Sequence, residues 1–173
     1  MRRPTLLATA LIGLLTLLGC YETAIELAPV EQAKVEKAYL GTWSFTWKDD
    51  DSLKGATATV LNLDGKQYFV EWAEFPPDGK RDVTRYRAII VPVQGASFAQ
   101  LSPITDELPD KHVIMRAELK DGKLRLRNLN QKFFEGVTTI EQLRQQLSHN
   151  LEDERMYEGE WIAGSNNIAT TRP

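Results

Sequence analysis

Apolar and polar residues alternate one by one along most of the chain after its first forty residues. Between Thr42 and Trp47, threonine and serine alternate with Trp43, Phe45 and Trp47. That period of two puts one face of a strand in a core and the other in water. Similar runs cover Ala56 to Asn62, Gln67 to Phe75, Val83 to Val93, Ser97 to Leu101, His112 to Leu119, Lys123 to Asn130 and Arg155 to Ile162. Turn chemistry separates them. Asp64-Gly65 and Asp121-Gly122 are hairpin dipeptides, Pro76-Pro77-Asp78-Gly79 leads into the next run, and Gly95 turns the chain again. The pattern predicts a mainly β fold of about eight strands in an antiparallel meander, closed into a barrel because closure removes exposed edges.

Two stretches break the period. Pro29 opens a helical stretch from Val30 to Tyr39, ended by Gly41. Thr138-Thr139-Ile140-Glu141 has the spacing of a capping box, a Thr hydroxyl and a Glu carboxylate serving opposite backbone donors. Ile140, Leu143 and Leu147 then form one apolar stripe, which predicts a helix over Thr139 to Leu147 packed on a barrel end or a sheet face. The fold expected is therefore a barrel with a short N-terminal helix and one helix before its last strand.

The N-terminus carries a different signal. Arg2 and Arg3 precede an apolar run from Leu6 to Leu18, which ends in Gly19 and the chain's one cysteine, Cys20. This is the charged start, apolar middle and small-residue end of a secretory signal. The run is short of the ~20 apolar residues that span a bilayer. Leu17-Leu18-Gly19-Cys20 resembles the lipobox of bacterial lipoproteins. The resemblance implies cleavage between Gly19 and Cys20 and acylation of Cys20, which then holds the chain on a membrane through several acyl chains. Tyr21, standing where an inner-membrane lipoprotein commonly has Asp, implies the outer membrane of the cell envelope. The expected organisation is a signal over residues 1–19, an acylated cysteine and tether over 20–29, a barrel over 30–162 and a flexible tail over 163–173.

Gly41-Thr42-Trp43, after a short helix and at the head of the first strand, resembles the Gly-x-Trp signature of the lipocalins and related calycin barrels. The resemblance implies that Gly41 permits a tight entry and that Trp43 plugs the closed end of a lipocalin-like barrel. It also implies a late basic residue packed on the tryptophan, for which Arg155 is the candidate. The helix before the last strand departs from the lipocalin order, in which the helix follows it.

Composition narrows the chemistry. The chain has 21 Lys and Arg against 24 Asp and Glu, and losing Arg2 and Arg3 with the signal leaves the remainder more acidic. Clustered positive charge for nucleic acid is missing. After acylation of Cys20 no thiol remains for a disulfide or for nucleophilic catalysis. Of the two histidines, His112 opens a strand and His149 closes a helix, where a cation favours the dipole. No serine elbow, phosphate loop or zinc spacing occurs. Asp49-Asp50-Asp51 and Glu152-Asp153-Glu154 read as solvated turns, because calcium loops alternate their ligands. Arg85 and Arg87, flanking Tyr86, read as a solvent face, with an anion site as the other reading.

What remains is aromatic. Trp43, Phe45, Trp47, Tyr68, Trp72, Tyr86 and Trp161 all fall on predicted strands. Two readings stand: a filled barrel core, preferred for most of them, or the lining of a ligand pocket. The function expected is a non-enzymatic, membrane-anchored module without metal or cofactor, binding a small apolar or amphipathic ligand. The alternative is an envelope component that binds another protein through its outer surface.

Overall fold

The computed structural model describes residues 21–47, 55–75, 79–105 and 111–164. Its strands are β1 (Glu22–Thr23), β2 (Gly41–Trp47), β3 (Ala56–Asn62), β4 (Tyr68–Glu74), β5 (Asp82–Val93), β6 (Ala96–Pro103), β7 (His112–Lys120), β8 (Lys123–Leu129) and β9 (Tyr157–Ala163). One α-helix, α1 (Ile140–His149), precedes β9. From β2 to β9 each strand pairs antiparallel with the next, and β9 returns to β2 through Phe45 to Trp47 against Trp161 to Ala163. The result is a closed eight-stranded antiparallel barrel. β1 was not legible as a strand. It pairs with β7 beyond the end of β8, Glu22 opposite Val113 and Thr23 opposite His112.

Local chemistry sets the hairpins. Asp121 and Gly122 both have positive φ, 52° and 70°, the mirror-image turn whose twist matches the strands it joins. Gln94 and Gly95 do the same between β5 and β6, with φ of 51° and 82°. The Asp64-Gly65 connection is longer than a two-residue turn. The Asp64 carboxylate accepts from the amides of Lys66 and Gln67 at 2.9 and 2.7 Å, and Leu63 N–H bonds the Gln67 carbonyl.

Alternation along the strands creates two apolar layers. Inward residues, among them Trp43, Phe45, Val60, Tyr68, Val70, Met115, Leu124 and Trp161, fill the barrel. Outward residues of β5 to β7, including Ile89, Val91, Phe98 and Ile114, meet Leu143 and Leu147 of α1. The helix begins at a capping box one residue later than the spacing Thr138 to Glu141 predicts. Thr139 Oγ1 accepts from Gln142 N–H, and Gln142 Oε1 accepts from Thr139 N–H at 3.2 Å. The amide side chain of Gln142 does what a carboxylate at Glu141 was expected to do, and it also bonds the Thr138 amide.

Three expectations change. The segment 20–29 is no tether over its described part: Tyr21, Leu27 and Ala28 are buried in the outer layer. Gln100 Oε1 accepts the Leu27 and Ala28 amides, and Arg144 Nε donates to the Leu27 carbonyl at 3.0 Å. The stretch Val30 to Tyr39 is not one helix but two single 3₁₀ turns, Val30–Gln32 and Lys37–Tyr39. Between them Val35 N–H bonds the Gly65 carbonyl and Glu36 N–H bonds the Tyr68 hydroxyl. These amides take partners on the barrel instead of carbonyls one helical turn back. Ala163, expected to open the tail, belongs to β9 and is fully buried, and residues 165–173 lie outside the described residues. The signal residues, Gly19 and Cys20 included, and Asp49 to Asp51 lie outside the described residues.

Candidate ligand-binding site

The barrel interior is built differently at its two ends. At the Gly41 end it is solid. Trp43 is 1% exposed, and its indole N–H donates to the Tyr39 carbonyl at 2.9 Å. The strap from Val35 to Leu40 crosses this end, where the Tyr39 and Tyr68 rings meet edge to face at 6.2 Å. Burial pushes both phenols above the ordinary tyrosine pKa, against the lowering effect of the Ser97 hydroxyl on Tyr39 and the Glu36 backbone on Tyr68.

Above that plug the interior is hollow. A cavity of about 130 Å³ runs from Tyr39 and Tyr68 to Glu22 and Glu74 at the opposite end. Its walls are Phe45, Trp72, Tyr86, Met115 and Trp161 alternating with the small Ala58, Ala88, Ala99 and Ala117. The alanines leave the space. Trp72, Tyr86, Leu101 and Val113 stay partly exposed, so among the described residues the cavity opens at the Glu22–Glu74 end. Apolar cavities of this scale, ~150 Å³, stay dry and take benzene-sized guests.

All seven predicted aromatics belong to this interior layer or pack against it. Phe45, Tyr68, Trp72, Tyr86 and Trp161 line the cavity, while Trp43 forms its floor plug. Trp47 meets Trp161 edge-on at 4.6 Å and 60°, and Trp161 meets Trp72 at 5.2 Å and 83°. Gly159 makes room for this group: its φ is +74°, and a Cβ there would overlap the six-membered ring of Trp47. The aromatics thus pack as core at one end and border the cavity at the other.

Arg155 does not reach Trp43. Its side chain is 83% exposed and bonds the Asp153 carboxylate, which holds Asp153 below the usual carboxylate range. Two cation-on-ring contacts lie instead on the outer face, with Arg127 3.6 Å and Arg116 5.8 Å from the centre of the Tyr157 ring. Arg85 is exposed and pairs with Glu71 at 3.1 Å, in keeping with a solvent face.

Sequence reasoning missed Glu22, Glu74 and Tyr39 at the cavity. Glu74 was within reach of it, because Tyr68, Val70, Trp72 and Glu74 occupy alternate positions of one strand and share its inward face. Glu22 was not, since its place depends on β1 docking beside β7. Glu74 Oε1 accepts the Trp72 indole N–H at 2.7 Å, and Glu22 pairs with Lys111 at 3.1 Å. On the outer face, Ser102 Oγ and His112 Nδ1 lie 2.8 Å apart, and His112 Nε2 lies 4.0 Å from Glu26. None of these three lines the cavity. The arrangement sits where β1 docks, since Thr23 pairs with His112.

Comparisons with family models, curated proteins and solved structures give no match to this chain.

Proposed function

We propose that the chain is a cell-envelope lipoprotein, anchored through an acylated Cys20, whose lipocalin-like barrel binds a small apolar or amphipathic ligand. The observation that carries the reading is the hollow, aromatic- and alanine-lined interior above a solid plug. A barrel that served only as a scaffold gains from filling such a space, because each missing methylene forfeits burial and contact. The position of Trp43 beside Tyr39 supports the lipocalin-like reading, as does the strap that crosses the Gly41 end. The helix before β9 makes it a variant of that plan.

The fold begins at once after the anchor. Tyr21 is 2% exposed, its carbonyl bonds Ile114 N–H, and Glu22 already lines the cavity. An acyl group on Cys20 therefore holds the open end of the barrel at the lipid surface, where an amphipathic guest is most concentrated.

Two measurements test this reading. Mass analysis of the full-length protein made in a bacterial host is expected to show loss of residues 1–19 and acylation at Cys20, with Cys20→Ser shifting the protein out of the membrane fraction. Unchanged mass and fractionation of that variant would remove the anchor. Native mass spectrometry and tryptophan emission are expected to report a small bound guest displaced by apolar competitors. A barrel indifferent to every such compound would leave the outer surface, and a protein partner, as the functional element.

A further inference from the structure

The charge pattern of the cavity selects its guest. Among the described residues its lining holds two carboxylates, Glu22 and Glu74, and no Lys, Arg or His side chain. The two acids differ. Glu22 is compensated by Lys111, 3.1 Å away. Glu74 takes the Trp72 indole N–H on one oxygen and has no basic partner among the described residues. A carboxylate in a partly buried, aromatic setting is stabilised by a cation brought to it, and the aromatic neighbours point the same way. Trp72 and Trp161 meet at 83°, Phe45 lies 5.1 Å from Trp72, and Tyr86 completes the wall. Aromatic rings therefore dominate the wall around Glu74, and electron-rich ring faces attract ammonium groups.

On the premise that the barrel binds a ligand at all, we propose that the guest is a small organic ammonium ion with a short apolar tail. Its head sits at the open end beside Glu74, among Trp72, Trp161 and Tyr86. Its tail enters the space bounded by Ala58, Ala88 and Ala99. A carboxylate-headed guest such as a fatty acid meets like charge at that end and finds no cation among the described lining residues. A neutral alcohol gains the apolar contacts but not the ion pair. Size restricts the tail as well. At about 130 Å³ the cavity is close to the ~150 Å³ that takes a benzene-sized guest, so a tail of about six carbons fits inside it.

The test compares hexylammonium, 1-hexanol and hexanoate, which share a tail and differ in head charge. Binding is followed by tryptophan emission and calorimetry on the folded domain. Hexylammonium is expected to bind about tenfold or more tightly than hexanol, with hexanoate weakest. Added salt should narrow the gap. Glu74→Gln should bring hexylammonium to the level of hexanol measured in the same variant, and Glu22→Gln should keep most of the preference. Equal binding of all three compounds, or preference for hexanoate, overturns the charge selection and leaves the ligand-binding reading standing. Loss of the preference in Glu22→Gln and not in Glu74→Gln overturns the assignment to Glu74. Failure of all three to bind overturns the binding reading together with this inference.

Discussion

The same three strands, β5 to β7, carry opposite packing on their two faces. Outward, Ile89, Phe98 and Ile114 are at most 2% exposed and press against Leu27, Leu143 and Leu147, which are fully buried. Inward, Ala88, Ile90, Ala99, Leu101 and Val113 border an open space. A small barrel is ordinarily filled by its own side chains. Here α1 and the segment from Tyr21 to Ala28 supply a second core outside the wall, and that core holds the strands in place whether or not the inside is full. The comparison separates stability from function: the outer layer and the Trp43 plug hold the fold, and the inner layer above the plug is free to stay hollow.

The largest effects should come from emptying what is solid. Phe98→Ala in the outer layer and Trp43→Ala in the plug are each expected to cost about 3–5 kcal/mol, the usual result of truncating a buried aromatic. Met115→Ala, on the cavity wall, should fall near the low end for such truncations, about 2 kcal/mol, because part of its surface already faces empty space. Urea melts of the three variants check the order. Equal losses at Met115 and Phe98 would mean that the interior is packed as densely as the outside.

Next comes the point where the inner layer has no slack. Gly159→Ala places a methyl in the ring of Trp47 and a Cβ on a left-handed backbone. About 2–4 kcal/mol is expected from overpacking and strain together. Near-ultraviolet circular dichroism should report the loss of the Trp47–Trp161 contact. Adding Trp47→Ala should recover part of the stability, which a purely backbone effect would not allow.

These particulars show what the sequence could and could not disclose. Alternation and turn dipeptides located β2 to β9 to within a few residues, because each signal is local: a side chain's parity along a strand, or a glycine's freedom at a turn. The stripe Ile140, Leu143, Leu147 likewise predicted α1. The strap failed the same method. Glu36 is held by Tyr68, Leu27 by Gln100 and Arg144, and the two residues of β1 by the edge of β7, partners distant in sequence that no period marks. The cavity was only half legible for a related reason. The aromatics stood out, but a hollow is made by what is small, and the inward alanines at 58, 88, 99 and 117 carry no signal until the register aligns them.

Opposite substitutions sharpen the contrast further. Ala28→Leu adds bulk to the filled outer layer, where overpacking typically costs about 1–3 kcal/mol. Ala88→Leu adds the same bulk to the cavity wall and should cost less than about 1 kcal/mol, since the space to receive it exists. The second variant should also abolish uptake of any guest, whereas Ala28→Leu leaves uptake intact once melting is allowed for. If Ala88→Leu proved as damaging as Ala28→Leu, the cavity would be too tight for a ligand.

The smallest effect concerns protons, and it samples both layers. Tyr39 and Tyr68 lie inside, Tyr21 and Tyr157 in the outer layer, and burial raises the pKa of all four phenols above 10. Arg116 and Arg127 beside Tyr157 oppose that rise without cancelling it. A raised folded-state pKa means that the stabilisation is complete below the unfolded value and is lost as pH climbs through the folded one. The domain should therefore hold its stability through neutral pH and weaken progressively above about pH 10. Tyrosinate absorbance during an alkaline titration should lag that of the unfolded chain. The layers then differ in one respect. A guest that fills the cavity and excludes water should delay the ionisation of Tyr68, which lines it, and leave that of Tyr157 unchanged. Comparison of Tyr68→Phe with Tyr157→Phe, each titrated with and without guest, resolves the two contributions. A guest-induced delay that survived Tyr68→Phe and vanished in Tyr157→Phe would place the guest on the outer face and not in the barrel.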